Sequence, residues 1–204
     1  YSIELLIVQR KSAGPRRNAV QKALDYVKKR GVAKTLAKIM FAVITRVEKA
    51  LFARGKLYAP HFRRHGLDKF DVEKLVLEPL PSKSGFVVRY SDADTAKIKE
   101  HKLDVLIRGG SGILRGDILT VAPLGVVSFH HANNLVNRGA PPGFWEVYHR
   151  EPSTGFIIQK LSEELDGGDV LFRGASPTSP TYVRNSVRLY LKANAFMHEL
   201  LERI

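Results

Sequence analysis

The stretch DVLIRGGSGILRGDILTVAPLGVVSFH, Asp104–His130, decides the fold. Val105–Arg108 and Val126–His130 are short apolar runs, and each reads as a buried strand. Between them Gly109, Gly110 and Gly112 make a loop, and Ile113–Leu119 is expected to start a short helix. On the N-terminal side, Phe86–Tyr90 reads as a strand, and Ser91 as the cap of a helix running to about His101. On the C-terminal side, Gly155–Leu161 and Val170–Phe172 read as further strands. A last helix is expected over about Tyr182–Arg203, with Val187, Leu191, Ala195, His198 and Leu201 along one face. Strands alternating with helices predict an α/β fold, a mostly parallel sheet with helices on both faces. In such sheets a ligand crevice lies beyond the carboxyl ends of the strands.

The first third has a different composition. Of 33 Lys plus Arg and 20 Asp plus Glu, residues 1–75 hold 18 and 6, so +12 of the formal +13 sits there. Such asymmetry points to an anionic partner: nucleic acid, a membrane surface or a phosphorylated substrate. Ser2–Val8 is an apolar run expected as a strand, and KSAGPRRN as a loop. Asn18 is placed to cap a helix ending at Gly31, and a second helix is expected from about Val32 to Ala53. Its apolar positions Leu36, Ile39, Met40, Val43, Val47 and Leu51 recur at helical spacing and are expected to pack on the domain. Residues 54–84 read as irregular.

The 204 residues suit a single domain, with a basic helix-rich part over 1–84 and a core over 85–204. The absence of cysteine excludes disulfides, thiolate zinc sites, Fe–S clusters and a cysteine nucleophile. The apolar run Ile39–Ile44 is too short to cross a bilayer. No signal-peptide pattern is read at Tyr1, and a cytoplasmic location is expected.

The chemistry is expected within Gly125–Arg173. His130 ends an apolar strand and is followed by His131, Asn133 and Asn134. Asn137, Arg138, Gly139, Pro141 and Pro142 form an irregular loop before Phe144 and Trp145, the only Trp. Further on, EELDGGD (Glu163–Asp169) sets carboxylates around two glycines. An imidazole and a carboxylate make an acid–base pair where they meet in space. Consecutive histidines on a strand point to opposite faces, so a shared metal ion is not expected. A strand-end His is more often a structural residue, and DGGD can be only a tight turn, so these residue types alone indicate a polar site without naming a reaction.

The order of these parts resembles the catalytic core of the formyltransferases that use N10-formyltetrahydrofolate. That family shows a strand ending Asn-x-His, then Pro-Ser-Leu-Leu-Pro, Arg-Gly, a Pro, and later Thr-Gly and a Leu-Asp-x-Gly-Asp turn. Here His130 falls on the histidine and Arg138-Gly139 on the Arg-Gly. Thr154-Gly155 leads to Leu165-Asp166-Gly167-Gly168-Asp169, with Asp166 on the catalytic aspartate, 36 residues after His130. The resemblance covers about residues 104–173. Two departures stand out: Ser128 replaces the asparagine, and His131–Leu135 (HANNL) replaces Pro-Ser-Leu-Leu-Pro. The family's opening strand and glycine loop are also not seen, as though the chain starts at the second strand.

The resemblance implies a Rossmann-like formyltransferase fold. It implies His130, Asp166, Ser128 and Asn133 as catalytic residues. The folate would be held by Arg108, Gly110, Gly112, Ile113, Leu114 and Leu165, and the acceptor by Asn134, Arg138, Gly139 and Trp145. The cofactor would be N10-formyltetrahydrofolate as formyl donor, with no metal. The acceptor would be a primary amine, phosphorylated or nucleotide-linked, with an amino sugar favoured over methionyl-tRNA. Other readings are hydrolysis of the formyl donor, a folate-binding pseudoenzyme, and a basic module for nucleic acid or a membrane surface. A homodimer is a further expectation.

Overall fold

A computed structural model describes residues 1–10, 18–63, 66, 71–82, 85–110, 112–136, 139–164 and 167–203. The chain runs through β1 (Leu5–Gln9), α1 (Ala19–Arg30), α2 (Val32–Phe52), α3 (Ala59–Phe62), β2 (Glu73–Leu77), β3 (Leu80–Pro81), β4 (Val87–Arg89) and α4 (Asp92–Glu100). It continues through β5 (Leu106–Arg108), β6 (Ile113–Leu114), a 3-10 turn (Asp117–Thr120), β7 (Val126–His130), α5 (Phe144–His149), β8 (Ser153–Lys160), β9 (Val170–Pro177) and α6 (Tyr182–Leu201).

The α/β class holds, with strand pairing that is mixed where a mostly parallel sheet was expected. β1–β2, β4–β6 and β5–β7 pair in parallel, whereas β3–β4, β7–β8 and β8–β9 are antiparallel. The largest sheet has the order β5-β7-β8-β9. Its strand β7 alternates cleanly. Val126 joins a core with Leu77, Ile98, Leu114, Ile118 and Leu119, while Val127 faces Ile158 and Met197 of α6. Both faces are therefore covered, as the continuous apolar runs required.

The helix starts follow from their caps. Asn18 accepts from the Gln21 N–H at 2.8 Å and the Gln21 side chain returns to the Asn18 N–H at 3.2 Å, a reciprocal capping box. Ser91 accepts from the Asp94 N–H at 3.2 Å at the start of α4. Gly31, at φ +84°, supplies the corner between α1 and α2.

Four expectations need correction. Residues 54–84 are not irregular throughout: β2 runs beside β1 over five paired positions, Leu5 with Glu73 through Gln9 with Leu77. The segment EKLVL carries a short apolar run, Leu75–Leu77, and its pairing with β1 extends the strand back to Glu73. Ile113–Leu119 is not one helix. The Ile113 N–H donates to the Phe86 carbonyl at 2.7 Å, which lays Ile113–Leu114 against β4, and Gly116 at φ +87° then turns the chain into the 3-10 turn. On α6 the buried apolar residues are Val183, Val187, Leu189, Ala193 and Met197, while Ala195 and His198 are exposed; the stripe is rotated from the expected one.

The fourth correction concerns α2. Its stripe does not pack on the domain: Leu36, Ile39, Met40, Val43, Val47 and Leu51 are all at least half exposed. The opposite face makes the contacts. Phe41 meets Phe144 and Tyr182 at 5.2 and 5.1 Å between ring centroids, and Glu48 accepts from the Val183 N–H at 2.6 Å. That carboxylate sits at the N-terminus of α6, where the helix dipole favours it.

A cavity of about 1320 Å³ separates β1 from β5, lined by Leu5–Gln9 and Val105–Arg108. Among the described residues neither strand has a ladder partner on this side. Its carboxyl end opens beside Gln9, Tyr90, Arg108 and Gly110.

Candidate active site at the carboxyl end of β7

Ser128 and His130 project from the same face of β7, two residues apart. His130 stands opposite Ile157 of β8, which stands opposite Arg173 of β9, so these three form one row across the sheet. Ser128 occupies the next row, between Arg108 of β5 and the buried Gln159 of β8. The β8–β9 register shifts between Ile158 and Gln159, an irregularity of the kind that re-aims side chains beside functional sites.

Arg173 organises the loop after β7. One of its guanidinium nitrogens, Nη1, donates to Asn133 Oδ1 at 2.7 Å and to Asn134 Oδ1 at 2.9 Å. The Asn133 oxygen also accepts from the Leu135 N–H at 3.1 Å, a side-chain-closed turn. Asn133 lies so close over β8 that a Cβ on Gly155 would come within 2.8 Å of its own Cβ. The glycine thus makes room for the loop. A fixed cation and two amides beside His130 give the site hydrogen-bonding capacity and positive charge.

His131 belongs elsewhere. It faces α6, stacked 5.4 Å from Phe129 at 17° and 4.3 Å from Tyr190. Burial, with the nearby His130 a lesser cause, pushes its pKa down to about 4, so at neutral pH it is an uncharged packing ring. The two histidines point to opposite faces and do not form a joint site.

The loop after β5 is shaped by its glycines and by Arg108. Arg108 Nη2 donates to the Gly112 carbonyl at 3.1 Å, and burial lowers its pKa against the opposing influence of Tyr90. Gly112 has φ +89°, and a Cβ there would meet the Phe86 carbonyl at 3.0 Å. The Ile113 and Arg115 N–H groups donate to β4, so the intervening main chain of Leu114 faces the other edge of β6. Among the described residues that edge has no strand partner. Gly110 approaches Gln9, whose Nε2 donates to the Tyr90 hydroxyl at 2.6 Å.

The segment that carries the carboxylates joins β8 to β9. Glu163 reaches the loop just described: its Oε1 accepts from the Gly116 N–H at 2.6 Å, and its Oε2 lies 3.7 Å from Arg115. Gly168 admits no side chain, since a Cβ would run into the Lys160 carbonyl. Asp166, Leu165 and Arg138 lie outside the described residues. The described flanks of Asp166 leave the sheet beside the N-terminal end of β7, where the Leu161 N–H donates to the Val126 carbonyl at 2.8 Å. Trp145 is held in an aromatic group on α5, its Nε1 donating to the Ala140 carbonyl at 3.3 Å and its ring stacked on His149.

The structure thus sets Ser128 and His130 on one face of β7, holds Asn133 and Asn134 in the following loop through Arg173, and links Glu163 to the main chain at Gly116. Sequence reasoning gave no role to Arg173 or Gln159, and none to Glu163 beyond its place in the carboxylate segment. Arg173 is a charged residue directly after the apolar Val170–Phe172, which is a usable signal; nothing in the sequence marks Gln159.

No protein-family model matches the chain. Among curated proteins it is 30% identical to the methionyl-tRNA formyltransferase of Ruminiclostridium cellulolyticum over 135 residues, 66% of this chain and 40% of that protein. It is 41% identical to that of Anaeromyxobacter sp. strain K over 73 residues, 35% of this chain and 23% of the relative. The chain therefore spans less than half the length of these relatives. Among solved structures it is similar to a phosphoribosylglycinamide formyltransferase from Streptococcus pneumoniae TIGR4. The TM-score is 0.48 and the identity 18%, covering 62% of this chain and 71% of that one. A further match, 27% over 138 residues, is to the methionyl-tRNA formyltransferase of Gloeothece citriformis. Over these residues the chain is similar in sequence to methionyl-tRNA formyltransferases, which supports a formyltransferase-family domain.

Proposed function

We propose that this chain transfers a formyl group from N10-formyltetrahydrofolate to a primary amine. The observation that carries this reading is the placement of His130 and Ser128 on one face at the carboxyl end of β7, beside the Arg173–Asn133–Asn134 clasp. The sequence relationship to formyltransferases supports the donor.

The open edge of β6 and the glycine loop fit a flat, hydrogen-bonding pterin. Leu114 would hold it through peptide groups, with Arg108, Gly110, Gly112 and Ile113 shaping the loop and Leu165 closing the other side. When bound, the folate supplies an activated formyl group. His130 would donate a hydrogen bond to the oxygen that becomes negative as the amine attacks, and would pass the amine's proton to the folate nitrogen that leaves as the C–N bond to the formyl carbon breaks. Asp166 is assigned to orient His130 by the resemblance alone, since its described flanks leave the sheet beside the other end of β7. Ser128 is the second donor; its hydroxyl is shorter than the family's amide and donates to the Phe129 carbonyl at 3.3 Å, so it must turn to reach substrate. Asn133 adds an amide to this set. Asn134, Arg138, Gly139 and Trp145 are assigned to the acceptor side.

An amine on a nucleotide-linked sugar is the favoured acceptor, since its diphosphate suits a cationic site. The curated relatives' names give methionyl-tRNA a specific claim as second reading, and the basic helices suit it as well. The test is tetrahydrofolate release from N10-formyltetrahydrofolate with an amino-sugar nucleotide, with methionyl-tRNA and with neither. Release that needs an amine supports transfer and names the acceptor; equal release without amine means hydrolysis and overturns the proposal. The same assay on His130→Ala should show kcat/KM lower by about two to four orders of magnitude. Ser128→Asn should raise the rate, by up to about a hundredfold.

A further inference from the structure

We infer that the α1–α2 hairpin docks on an anionic lipid surface. The inference stands apart from the proposed reaction and rests on the orientation of α2. One face of that helix is committed to the domain through Phe41 and Glu48, so it cannot rotate to hide the other. The other presents Leu36, Ile39, Met40, Val43, Ile44, Val47 and Leu51, at 47 to 68% exposure. From Leu36 to Leu51 this strip runs about 22 Å at the helical rise. Leu24 on α1 extends the exposed apolar surface. A continuous apolar surface of this size on a folded chain marks an interaction face.

The charges say what covers it. Residues 18–56 carry ten Lys and Arg against Asp25 and Glu48. All ten basic side chains are exposed, whereas Glu48 is spent on the α6 N-terminus. Lys34, Lys38, Arg46 and Lys49 come from α2 itself, and Lys22, Lys28, Lys29 and Arg30 from α1. An apolar strip with basic side chains around it is the pattern of a helix lying in a membrane interface, its apolar residues among the acyl chains and its cations on lipid phosphates. Among the described residues no helix is long and apolar enough to cross a membrane, so the contact is peripheral.

The experiment is co-sedimentation of the full chain with two sets of vesicles, phosphatidylcholine alone and phosphatidylcholine with about one third phosphatidylglycerol. Binding to the anionic set should exceed binding to the neutral set by about tenfold or more, and should fall when salt rises from about 0.05 M to about 0.5 M. The double variant V43D/V47D should lose about tenfold in partitioning while keeping its helical circular dichroism and melting temperature, because both positions are exposed. No preference for anionic vesicles overturns the inference, as does equal binding by the double variant. Sedimentation equilibrium supplies the remaining arm: a dimer that V43D/V47D dissociates means a second copy covers the face, and likewise overturns it.

Discussion

His131 carries a proton only in acid, because protonation would place a charge between Phe129 and Tyr190. Its pKa of about 4 in the folded chain lies below the ordinary 6.5. Between those values the unfolded chain binds the proton and the folded chain does not. Stability from this residue is therefore full above about pH 6.5 and is lost as pH falls toward 4, by up to about 3 kcal/mol. In His131→Phe, urea midpoints measured from pH 7 to 4 should show a shallower decline than in the parent; an unchanged slope would remove the account. Adjacent His130 has a different fate solely because strand geometry turns it to the other face. The sequence places both at a strand end, and the alternation rule separates them. What it could not supply was the aromatic sandwich, since Tyr190 is 59 residues away.

At the scale of elements, α6 is tied to the site by one buried amide. Asn185 accepts from the Ser179 N–H at 2.9 Å and donates to the Gly143 carbonyl at 2.9 Å and the Thr154 hydroxyl at 2.8 Å. Those bonds join α6 to the turn before α5 and to β8. Asn185→Ala would leave several buried polar groups unpaired, at a cost of about 2–4 kcal/mol. Its melting temperature should fall by about 5–15 °C; a shift within about 1 °C would show that water replaces the amide. Helix starts were readable in advance, because Asn18 and Ser91 act through contacts three residues away. β2 escapes a reading of the sequence because its apolar run, Leu75–Leu77, is only three residues long and its partner β1 lies more than 60 residues earlier.

For the whole molecule, the cavity between β1 and β5 is a gap across which, among the described residues, no ladder bonds run. Leu106 donates to the Gly125 carbonyl of the β7 side, so the next amide along β5, Ile107, faces the cavity. Hydrogen exchange at Ile107 should be faster than at the enclosed Ile158 by about a hundredfold or more; equal protection would mean that another strand fills the gap. Composition and local pattern determined the α/β class, most helix starts, the strand ending at His130 and the basic bias of the first third, since each depends on neighbours within a few positions. Tertiary structure alone decided that Arg173 clasps two asparagines, that Glu163 bridges to Gly116, and that α2 turns its apolar strip outward. Those outcomes depend on which surfaces meet. A helix with apolar residues on two faces does not reveal in its own sequence which one the domain will take.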